Sequence, residues 1–276
     1  MSDTLLLVGT GLVGGSFARA AKARGVFHRV VGMDRDPAAL AEAVRLGVVD
    51  AAAESFIGHA AVCIAVPVAG IAACVRDAVA DGARHNGVPV FDVGSVKAPI
   101  LEALQPVPPN YVPCHPIAGS ERQGPAEARA DLFEGRAVVL TPVATTDPDA
   151  VATVTGYWEG VGARVVTEDP DDHDRRFALV SHLPHLVAFA FMEVAAEGPL
   201  DVVGNGFRDF VRTAGADPDV WTDILHANAH EVRGRLDELL DVLASYGTMV
   251  GDDPARLRQR LTQVVANKQS FDALDR

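Results

Sequence analysis

Three glycines near the N-terminus constrain the fold of this chain more than any other feature. Gly9, Gly11 and Gly14 follow an apolar run, residues 4–8, that is typical of a buried β-strand. Their spacing permits a tight turn, close approach of the backbone to a pyrophosphate, and close packing of the next helix. The start of the chain therefore predicts a strand, a glycine turn and a helix whose N-terminus binds a dinucleotide.

Short apolar runs alternate with helical patterns over the first 168 residues. This alternation is typical of a parallel sheet covered by helices, so we predict a Rossmann-type doubly wound α/β domain over residues 1–168. The predicted strands are residues 4–8, 29–34, 60–66, 88–92, 111–114, 137–140 and 164–166. The predicted helices are residues 12–24, 37–46, 68–80 and 148–160.

The strand signal stops after residue 168. Apolar residues then recur at helical spacing across residues 171–196, 219–246 and 254–270, which predicts an all-helical C-terminal domain over residues 169–276. Pro184 falls inside the first of these helices and removes one backbone hydrogen bond, which predicts a kink there.

The acidic residue after the second predicted strand indicates which dinucleotide binds. Asp34 lies twenty residues after Gly14, where a carboxylate accepts hydrogen bonds from a ribose hydroxyl and repels a 2'-phosphate. This favours NAD, although Arg35 could pair with a phosphate, so NADP stays open. Further cofactor-binding candidates lie at the glycine turn and at strand ends, namely Leu12, Val13, Val66 and Ser95.

Composition excludes several other classes of protein. The net charge of -13, without any cluster of Lys and Arg, argues against nucleic-acid binding. The longest apolar run, residues 62–75, is interrupted by Pro67 and Gly70 and is too short for a membrane span. No basic region suggests a signal peptide, and the three cysteines lack metal-ligand spacing. We therefore expect a cytoplasmic protein without a bound metal.

Three further segments contain polar and ionisable residues that could take part in catalysis or substrate binding. They are GSVK at residues 94–97, CHPIAGSE at residues 114–121 and SHLPH at residues 181–185. With the glycine turn and GFRDFVR at residues 206–212, they resemble the prephenate/arogenate dehydrogenase family. The resemblance extends over nearly the whole chain.

The resemblance implies an oxidoreductase of tyrosine biosynthesis. Its reaction would be the oxidative decarboxylation of prephenate, a small dicarboxylate, to 4-hydroxyphenylpyruvate, with hydride transfer to NAD. An arogenate or dual cyclohexadienyl dehydrogenase that forms tyrosine directly is the alternative. Family members associate through the helical domain, which implies a homodimer.

The resemblance also implies roles for single residues. His115 would be the base for the ring hydroxyl, which suits an unperturbed pKa near ~6.5. Ser95 would hydrogen-bond cofactor and substrate, unless it caps the helix near Pro99. Arg212 would hold a substrate carboxylate by two parallel hydrogen bonds, unless it forms an interdomain salt bridge. Glu121 would lie at the mouth of the substrate pocket, unless it is a surface carboxylate.

His182 and His185 belong, by the resemblance, to the substrate cleft, and the kink at Pro184 would turn them toward it. Their three-residue spacing also suits a metal site, but no third ligand stands at a familiar distance. Lys97 could add positive potential to the site, and Trp221 is most simply a packing residue.

Two alternative functions make different demands on the chain. A dehydrogenase of the β-hydroxyacid type relies on a lysine in its helical domain, but the lysines here are Lys22, Lys97 and Lys268, none at that place. A non-catalytic dinucleotide-sensing module would bind the cofactor without turnover, and would leave His115 and Arg212 without a common purpose.

Overall fold

The computed structural model describes residues 3–83, 87–119 and 122–273. The chain forms two compact units, one that ends at Ala229 and one that begins at His230. This division falls later than residue 168, because helices beyond that residue pack with the α/β part. A domain boundary at residue 168 stays a prediction.

A six-stranded parallel sheet forms the centre of the N-terminal unit. Its strands are β1 (Thr4–Val8), β2 (Arg29–Met33), β3 (Ala51–Ala52), β4 (Ala61–Ile64), β5 (Val90–Asp92) and β6 (Tyr111–Val112). They lie in the order β3-β2-β1-β4-β5-β6, so the order reverses between β1 and β4. The crevice at the carboxyl ends of those two strands is where such sheets bind ligands.

Strand β1 is buried on both faces, which explains its continuous apolar sequence. Leu5 and Leu7 belong to one apolar cluster together with Phe17, whereas Leu6 belongs to another with Ile71. Each face of the sheet therefore has its own core, and the predicted doubly wound α/β architecture is confirmed.

Five helices follow the strands of this α/β part. They are α1 (Leu12–Ala23), α2 (Pro37–Arg45), α3 (Val68–Ala78), α4 (Ala98–Ala103) and α5 (Pro148–Gly160). Four of them confirm the predicted helices to within two residues, and α3 continues as a π-helical turn, Val79–Ala83. Helix α4 and strand β3 were not predicted, because elements of six and two residues are too short to show a period.

A second sheet carries part of the candidate site. Its strands are β7 (Cys114–Pro116), β8 (Ala137–Leu140) and β9 (Arg164–Thr167). The prediction of one strand over residues 111–114 is wrong, because β6 pairs with β5 and β7 pairs antiparallel with β8. Pro113 separates them, since it has no N–H for a ladder and its carbonyl accepts a hydrogen bond from Thr141 N at 3.0 Å.

Among the described residues, four α-helices follow β9 in the N-terminal unit. They are α6 (Pro170–Phe177), α7 (Leu183–Ala196), α8 (Asn205–Val211) and α9 (Pro218–Ala227). The interruption expected at Pro184 is a π-helical turn, Ala178–His182, because a proline cannot donate to the carbonyl of Val180.

The prediction of one helix over residues 219–246 is wrong. Helix α9 ends before Asn228, and α10 (Ala229–Asp252) begins after it. Asn228 leaves helical geometry, with φ -102° and ψ 28°, and its side chain bonds to the carbonyl of Asp174 at 2.8 Å. A tertiary contact therefore breaks a helical pattern that is continuous in the sequence.

The helical stretch Pro170–Ala196 is long and apolar enough to cross a membrane by length and composition alone. It is weak evidence for a span, because core helices of folded proteins pass the same test. Here Asp174 of this stretch accepts hydrogen bonds from the backbone of Lys97, and Phe177 and Leu183 are buried.

The C-terminal unit pairs α10 with α11 (Pro254–Asp272), which confirms the predicted helix over residues 254–270. Asp253 caps α11 by accepting a hydrogen bond from Arg256 N at 2.9 Å. Arg260 donates to Ser245 Oγ at 3.0 Å and lies 5.2 Å from the ring centroid of Tyr246. Helix α11 therefore folds back against α10.

A fully buried ion pair links the end of β5 to the second sheet. Lys97 Nζ donates to Asp92 Oδ2 at 2.5 Å and to the carbonyl of Cys114 at 2.7 Å. The other carboxylate oxygen of Asp92 accepts from Tyr111 Oη at 2.9 Å and from Cys114 N at 3.0 Å. Both side chains of the pair are 0% exposed. The pair therefore fixes the connection between β6 and β7, directly before His115.

Replacing Lys97 with Met is expected to lower the free energy of unfolding by about 3–5 kcal/mol, because Asp92 would keep a buried charge without a counter-ion. Urea denaturation measures this loss. Lys22→Met is the matched control, since Lys22 pairs with Asp50 at the surface and such pairs contribute about 1 kcal/mol or less. Equal losses in the two variants would contradict the structural importance of the buried pair.

Candidate active site

Two glycines of the turn after β1 permit close packing. Gly9 has φ +92°, and a Cβ atom there would lie 2.3 Å from the carbonyl oxygen of Ala65. A Cβ atom at Gly14 would lie 2.5 Å from the carbonyl oxygen of Gly9 and 2.6 Å from Ala65 Cβ. Both glycines are therefore needed to bring α1 against the sheet.

Gly11 differs from them, because a Cβ atom at this residue would meet nothing within 4 Å. It is the N-cap residue of α1, and no side chain caps that helix. The N-terminus of α1 is thus open, which suits the pyrophosphate of a dinucleotide. Leu12 and Val13 form the first turn, and Val66 lies beside Gly9, with its Cγ1 3.2 Å from the position of the added Cβ.

Asp34 is held firmly at the end of β2. Its Oδ2 accepts hydrogen bonds from Thr10 N and Thr10 Oγ1, both at 2.8 Å, and its Oδ1 accepts from Asp36 N at 3.0 Å. Thr10, which the sequence analysis did not single out, therefore anchors this carboxylate. The anchoring opposes the movement of Asp34 that phosphate binding by the exposed Arg35 would require.

His115 lies on β7 and is 8% exposed. Its Nδ1 lies 2.9 Å from Nε2 of His173 in α6. The ring of Phe177 packs edge-on against His115, with centroids 4.7 Å apart. Within the described residues no hydrogen bond to His115 Nε2 is present, so this nitrogen is free for a ligand.

His173 continues this contact to an acidic residue. Its Nδ1 lies 2.7 Å from Asp174 Oδ1. The Asp174 carboxylate also accepts hydrogen bonds from Lys97 N at 2.9 Å and from Ala98 N at 2.8 Å, at the start of α4. A chain of contacts therefore runs from His115 through His173 to Asp174 and on to the α/β part.

Burial lowers the pKa of His115 well below that of a free histidine, and the nearby charges of His173, Lys97 and His182 lower it further. The pKa of His173 is also lowered by burial, although its hydrogen bond with Asp174 acts in the opposite direction. Both rings are therefore neutral near pH 7, and a neutral imidazole at His115 can accept a proton.

His182 is buried beside this chain. Its Nδ1 lies 3.1 Å from Asn228 Nδ2, which donates, and its Nε2 has no partner in the described part of the chain. Burial lowers the pKa of His182 to about 4, and neighbouring His173 and His185 contribute to the lowering against the opposing charge of Asp174. Its second nitrogen is therefore a neutral N–H donor without a protein acceptor.

His185 stacks on Trp221, with ring centroids 3.6 Å apart and an interplanar angle of 19°. Burial lowers the pKa of His185, its hydrogen bond to the carbonyl of Ser181 raises it, and the charge of Arg212 lowers it again. Arg212 is thus an electrostatic neighbour of His185, and its own side chain is exposed. The expected role of Trp221 in packing is its contact with His185.

The remaining sequence candidates differ in their surroundings. Ser95 is half-buried, and the N-cap position of α4 belongs to Lys97, so Ser95 does not cap that helix. The ammonium group of Lys97, which was expected to add positive potential to the site, is fully buried and paired with Asp92, and its charge acts on His115. Glu121 lies outside the described residues.

Sequence reasoning missed His173, Asp174 and Asn228. One signal was available for the first, because His173 and Phe177 are four residues apart and so share the buried face of α6. Asn228 carries no such signal, since it sits inside an apolar periodic pattern. Among the described residues no group of three or more His, Cys, Asp or Glu side chains is placed to hold a metal ion.

Two family models match this chain. The one described as the nucleotide-binding domain of prephenate dehydrogenase covers residues 17–167, and the one described as its dimerization domain covers residues 169–263.

Individual relatives agree with these matches. The chain is 34% identical over 268 residues to a prephenate dehydrogenase of Bacillus subtilis, covering 92% of this chain and 72% of the relative. It is 34% identical over 263 residues to a cyclohexadienyl dehydrogenase of Zymomonas mobilis, covering 89% and 88%. The crystal structure of prephenate dehydrogenase from Aquifex aeolicus, in complex with hydroxyphenyl propionate and NAD+, superposes with a TM-score of 0.89 at 30% identity, covering 98% of both chains.

Alanine substitutions at Gly14 and Gly11 should affect different properties, stability in the first case and dinucleotide binding in the second. Gly14→Ala is expected to lower the free energy of unfolding by about 1–3 kcal/mol, because its methyl group meets backbone and buried side chains. Gly11→Ala should leave stability within about 1 kcal/mol of wild type, yet weaken dinucleotide binding at least tenfold, because the methyl group occupies open space at the N-terminus of α1. Thermal unfolding and calorimetric titration with NAD measure the two effects. Normal NAD affinity in Gly11→Ala would contradict this site.

Proposed function

This chain belongs to the prephenate dehydrogenase family, and we propose that it catalyses the oxidative decarboxylation of prephenate to 4-hydroxyphenylpyruvate in tyrosine biosynthesis, with hydride transfer to NAD. The Zymomonas mobilis relative, equally similar in sequence, is named cyclohexadienyl dehydrogenase. Oxidation of arogenate as a second substrate is therefore the alternative to be tested.

The observation that carries this proposal is the setting of His115. A neutral, buried histidine with one nitrogen engaged by His173 and the other free lies in the unit that holds the glycine turn. Prephenate oxidation needs a base for the ring hydroxyl, and His115 is placed to accept that proton. A non-catalytic dinucleotide-sensing module does not require a base at this position.

The cofactor site is formed by the glycine turn, the open N-terminus of α1 and the anchored carboxylate of Asp34. The pyrophosphate would lie at Gly11 and the adenosine ribose at Asp34. Bound NAD+ supplies the acceptor for the hydride. Because Asp34 is held by Thr10, we propose that NAD is preferred over NADP.

We assign the substrate carboxylates to the region of Arg212 and His185. The exposed guanidinium of Arg212 can hold a carboxylate by two parallel hydrogen bonds, and it lies near His185. The unpartnered N–H of His182 is a further donor to the substrate. Ser95 would bond the ring hydroxyl, and Glu121 would lie at the mouth of the pocket.

We further propose a homodimer in the cytoplasm. The second matching family model is described as a dimerization domain. Several large apolar side chains of the C-terminal unit are exposed, as expected of a surface that a second copy covers. They are Leu240, Leu243, Val250, Leu261, Val264 and Val265. The cytoplasmic location is supported by three cysteines that are all free, and cell fractionation tests it.

The deciding experiment is an activity assay of the purified protein. Prephenate and arogenate are tested in parallel, each with NAD and with NADP, and reduction of the cofactor is measured. Turnover of prephenate with NAD is expected. Turnover of arogenate alone would replace the proposed substrate. Intact NAD binding without turnover of either compound would favour the sensing module.

Two substitutions should separate chemistry from binding. His115→Asn is expected to lower kcat by about 10²–10⁴-fold while NAD affinity is kept, because the base is lost. Arg212→Ala should raise KM for prephenate roughly tenfold or more with a smaller change in kcat, and Arg175→Ala, which removes an exposed arginine, is its control.

In the wild type, kcat/KM should fall as pH drops through the lowered pKa of His115, since protonation removes the base. Full activity of His115→Asn would remove that residue from its role.

Sedimentation velocity at micromolar concentration is expected to give the mass of two chains. Leu243→Glu should shift the protein toward the monomer, because it places a charge on the exposed apolar surface. Glu238→Lys on the same helix, which replaces a polar surface residue, is the comparison. A wild-type monomer at this concentration would contradict the homodimer.

A further inference from the structure

We propose that His173 and Asp174 are positioning residues that set the tautomer of His115, so that its Nε2 presents a lone pair to the substrate. The proposal rests on the proposed function, in which His115 takes a proton from the ring hydroxyl. Neither residue needs to touch the substrate.

The Asp174 carboxylate determines which nitrogen of His173 carries the hydrogen. A carboxylate has no proton to donate, so Asp174 accepts at each of its contacts, from Lys97 N, Ala98 N and His173 Nδ1. His173 therefore carries its hydrogen on Nδ1. In a neutral imidazole the other nitrogen is then an acceptor, and for His173 that nitrogen is Nε2.

The tautomer of His173 in turn determines the tautomer of His115. His173 Nε2 accepts, so His115 Nδ1, 2.9 Å away, must be the donor. A neutral His115 with its hydrogen on Nδ1 has its lone pair on Nε2. The Asp174 carboxylate thus determines the hydrogen positions on both rings, directly on His173 and through His173 on His115.

Further contacts hold both imidazole rings in place. Phe177 packs against both imidazoles, with ring centroids 4.7 Å from His115 and 4.5 Å from His173. The carbonyl of Asp174 accepts a hydrogen bond from Asn228 Nδ2 at 2.8 Å. Burial lowers the pKa of both histidines, which keeps them neutral and the assignment intact. The orientation of the base therefore exists before the substrate binds.

The arrangement also serves the proton transfer itself. The substrate O–H bond breaks, a new N–H bond forms at His115 Nε2, and the ring becomes an imidazolium. Its Nδ1–H bond to His173 is then charge-assisted and stronger. The Asp174 carboxylate, which accepts the Nδ1–H of His173, lies one residue further and stabilises the new positive charge.

Two variants of His173 test the positioning role. His173→Gln can keep the pattern, because an amide oxygen accepts from His115 Nδ1 and an amide N–H donates to Asp174. His173→Leu removes both contacts. We expect kcat to fall about 10²–10⁴-fold in His173→Leu and to stay within about tenfold of wild type in His173→Gln. If His173 only filled space, Leu would support turnover at least as well as Gln, which would overturn the proposal.

A variant of the acidic residue tests the origin of the tautomer. Asp174→Asn can turn an amide N–H toward His173 Nδ1, which moves the hydrogen of His173 to Nε2 and that of His115 to its own Nε2. We expect a fall in kcat of about 10²–10⁴-fold with NAD affinity unchanged. Asp172→Asn is the matched control, because Asp172 lies on the exposed face of the same helix and pairs with Arg175. An equal fall in both variants would overturn the proposal.

The protonation of His115 can be read without activity. In protein labelled with ¹⁵N-histidine, the ring nitrogens of His115, assigned by their loss in His115→Asn, should show a hydrogen on Nδ1 and none on Nε2 near pH 7. Asp174→Asn should reverse this pattern. A wild-type spectrum with the hydrogen on Nε2 would overturn the proposal.

The two readouts separate this proposal from the proposed function. A wild-type protein that oxidises prephenate but has the opposite tautomer overturns only the positioning role. A protein with the expected tautomer that oxidises neither ring compound overturns the proposed function and leaves the assignment of protons standing.

Discussion

Asp92 and Lys97 form a buried ion pair that connects the main sheet to the second sheet through Cys114. Burying two charges is costly unless further hydrogen bonds satisfy their polar atoms, and here both groups have such further partners. Asp92 accepts from Lys97, Tyr111, Cys114 N and Gly94 N, while Lys97 also donates to the carbonyl of Cys114. The backbone N–H of Lys97 binds Asp174 as well. One residue thus joins the main sheet, the second sheet and α6, and so positions His115 against His173.

The burial of His115 among these groups decides the electrostatics of the candidate base. Burial and the ammonium group of Lys97 both oppose a second positive charge, so His115 is neutral at physiological pH but is a weaker base than a free histidine. The contact with His173 counteracts this weakness when a proton arrives, because a charge-assisted hydrogen bond is stronger than a neutral one. His115 therefore has a lone pair available to accept a proton, and His173 stabilises the imidazolium that forms.

The parts of the fold that were predicted correctly have local causes. The glycine turn, β1 and α1 follow from the steric demands of Gly9 and Gly14 and from a continuous apolar run. The two errors have different causes. Pro113 was a local signal, since a proline without an N–H separates β6 from β7, whereas Asn228 interrupts a helix because its side chain reaches the distant residues Asp174 and His182. Periodicity describes which face of an element is buried, and it carries no information about partners of that kind.

The α/β class, the dinucleotide turn and the acidic residue after β2 could be predicted from the sequence alone, because spacing and residue chemistry act over a few positions, whereas the role of His115 rests on the family resemblance and stays a proposal. The tertiary structure was needed to show that His115 contacts His173, that Lys97 is a buried cation paired with Asp92, and that Thr10 holds Asp34. The partner of His115 lies 58 residues away on a helix of the C-terminal half of the chain. A hydrogen bond over that distance depends on how sheets and helices pack in three dimensions, and no local pattern encodes it.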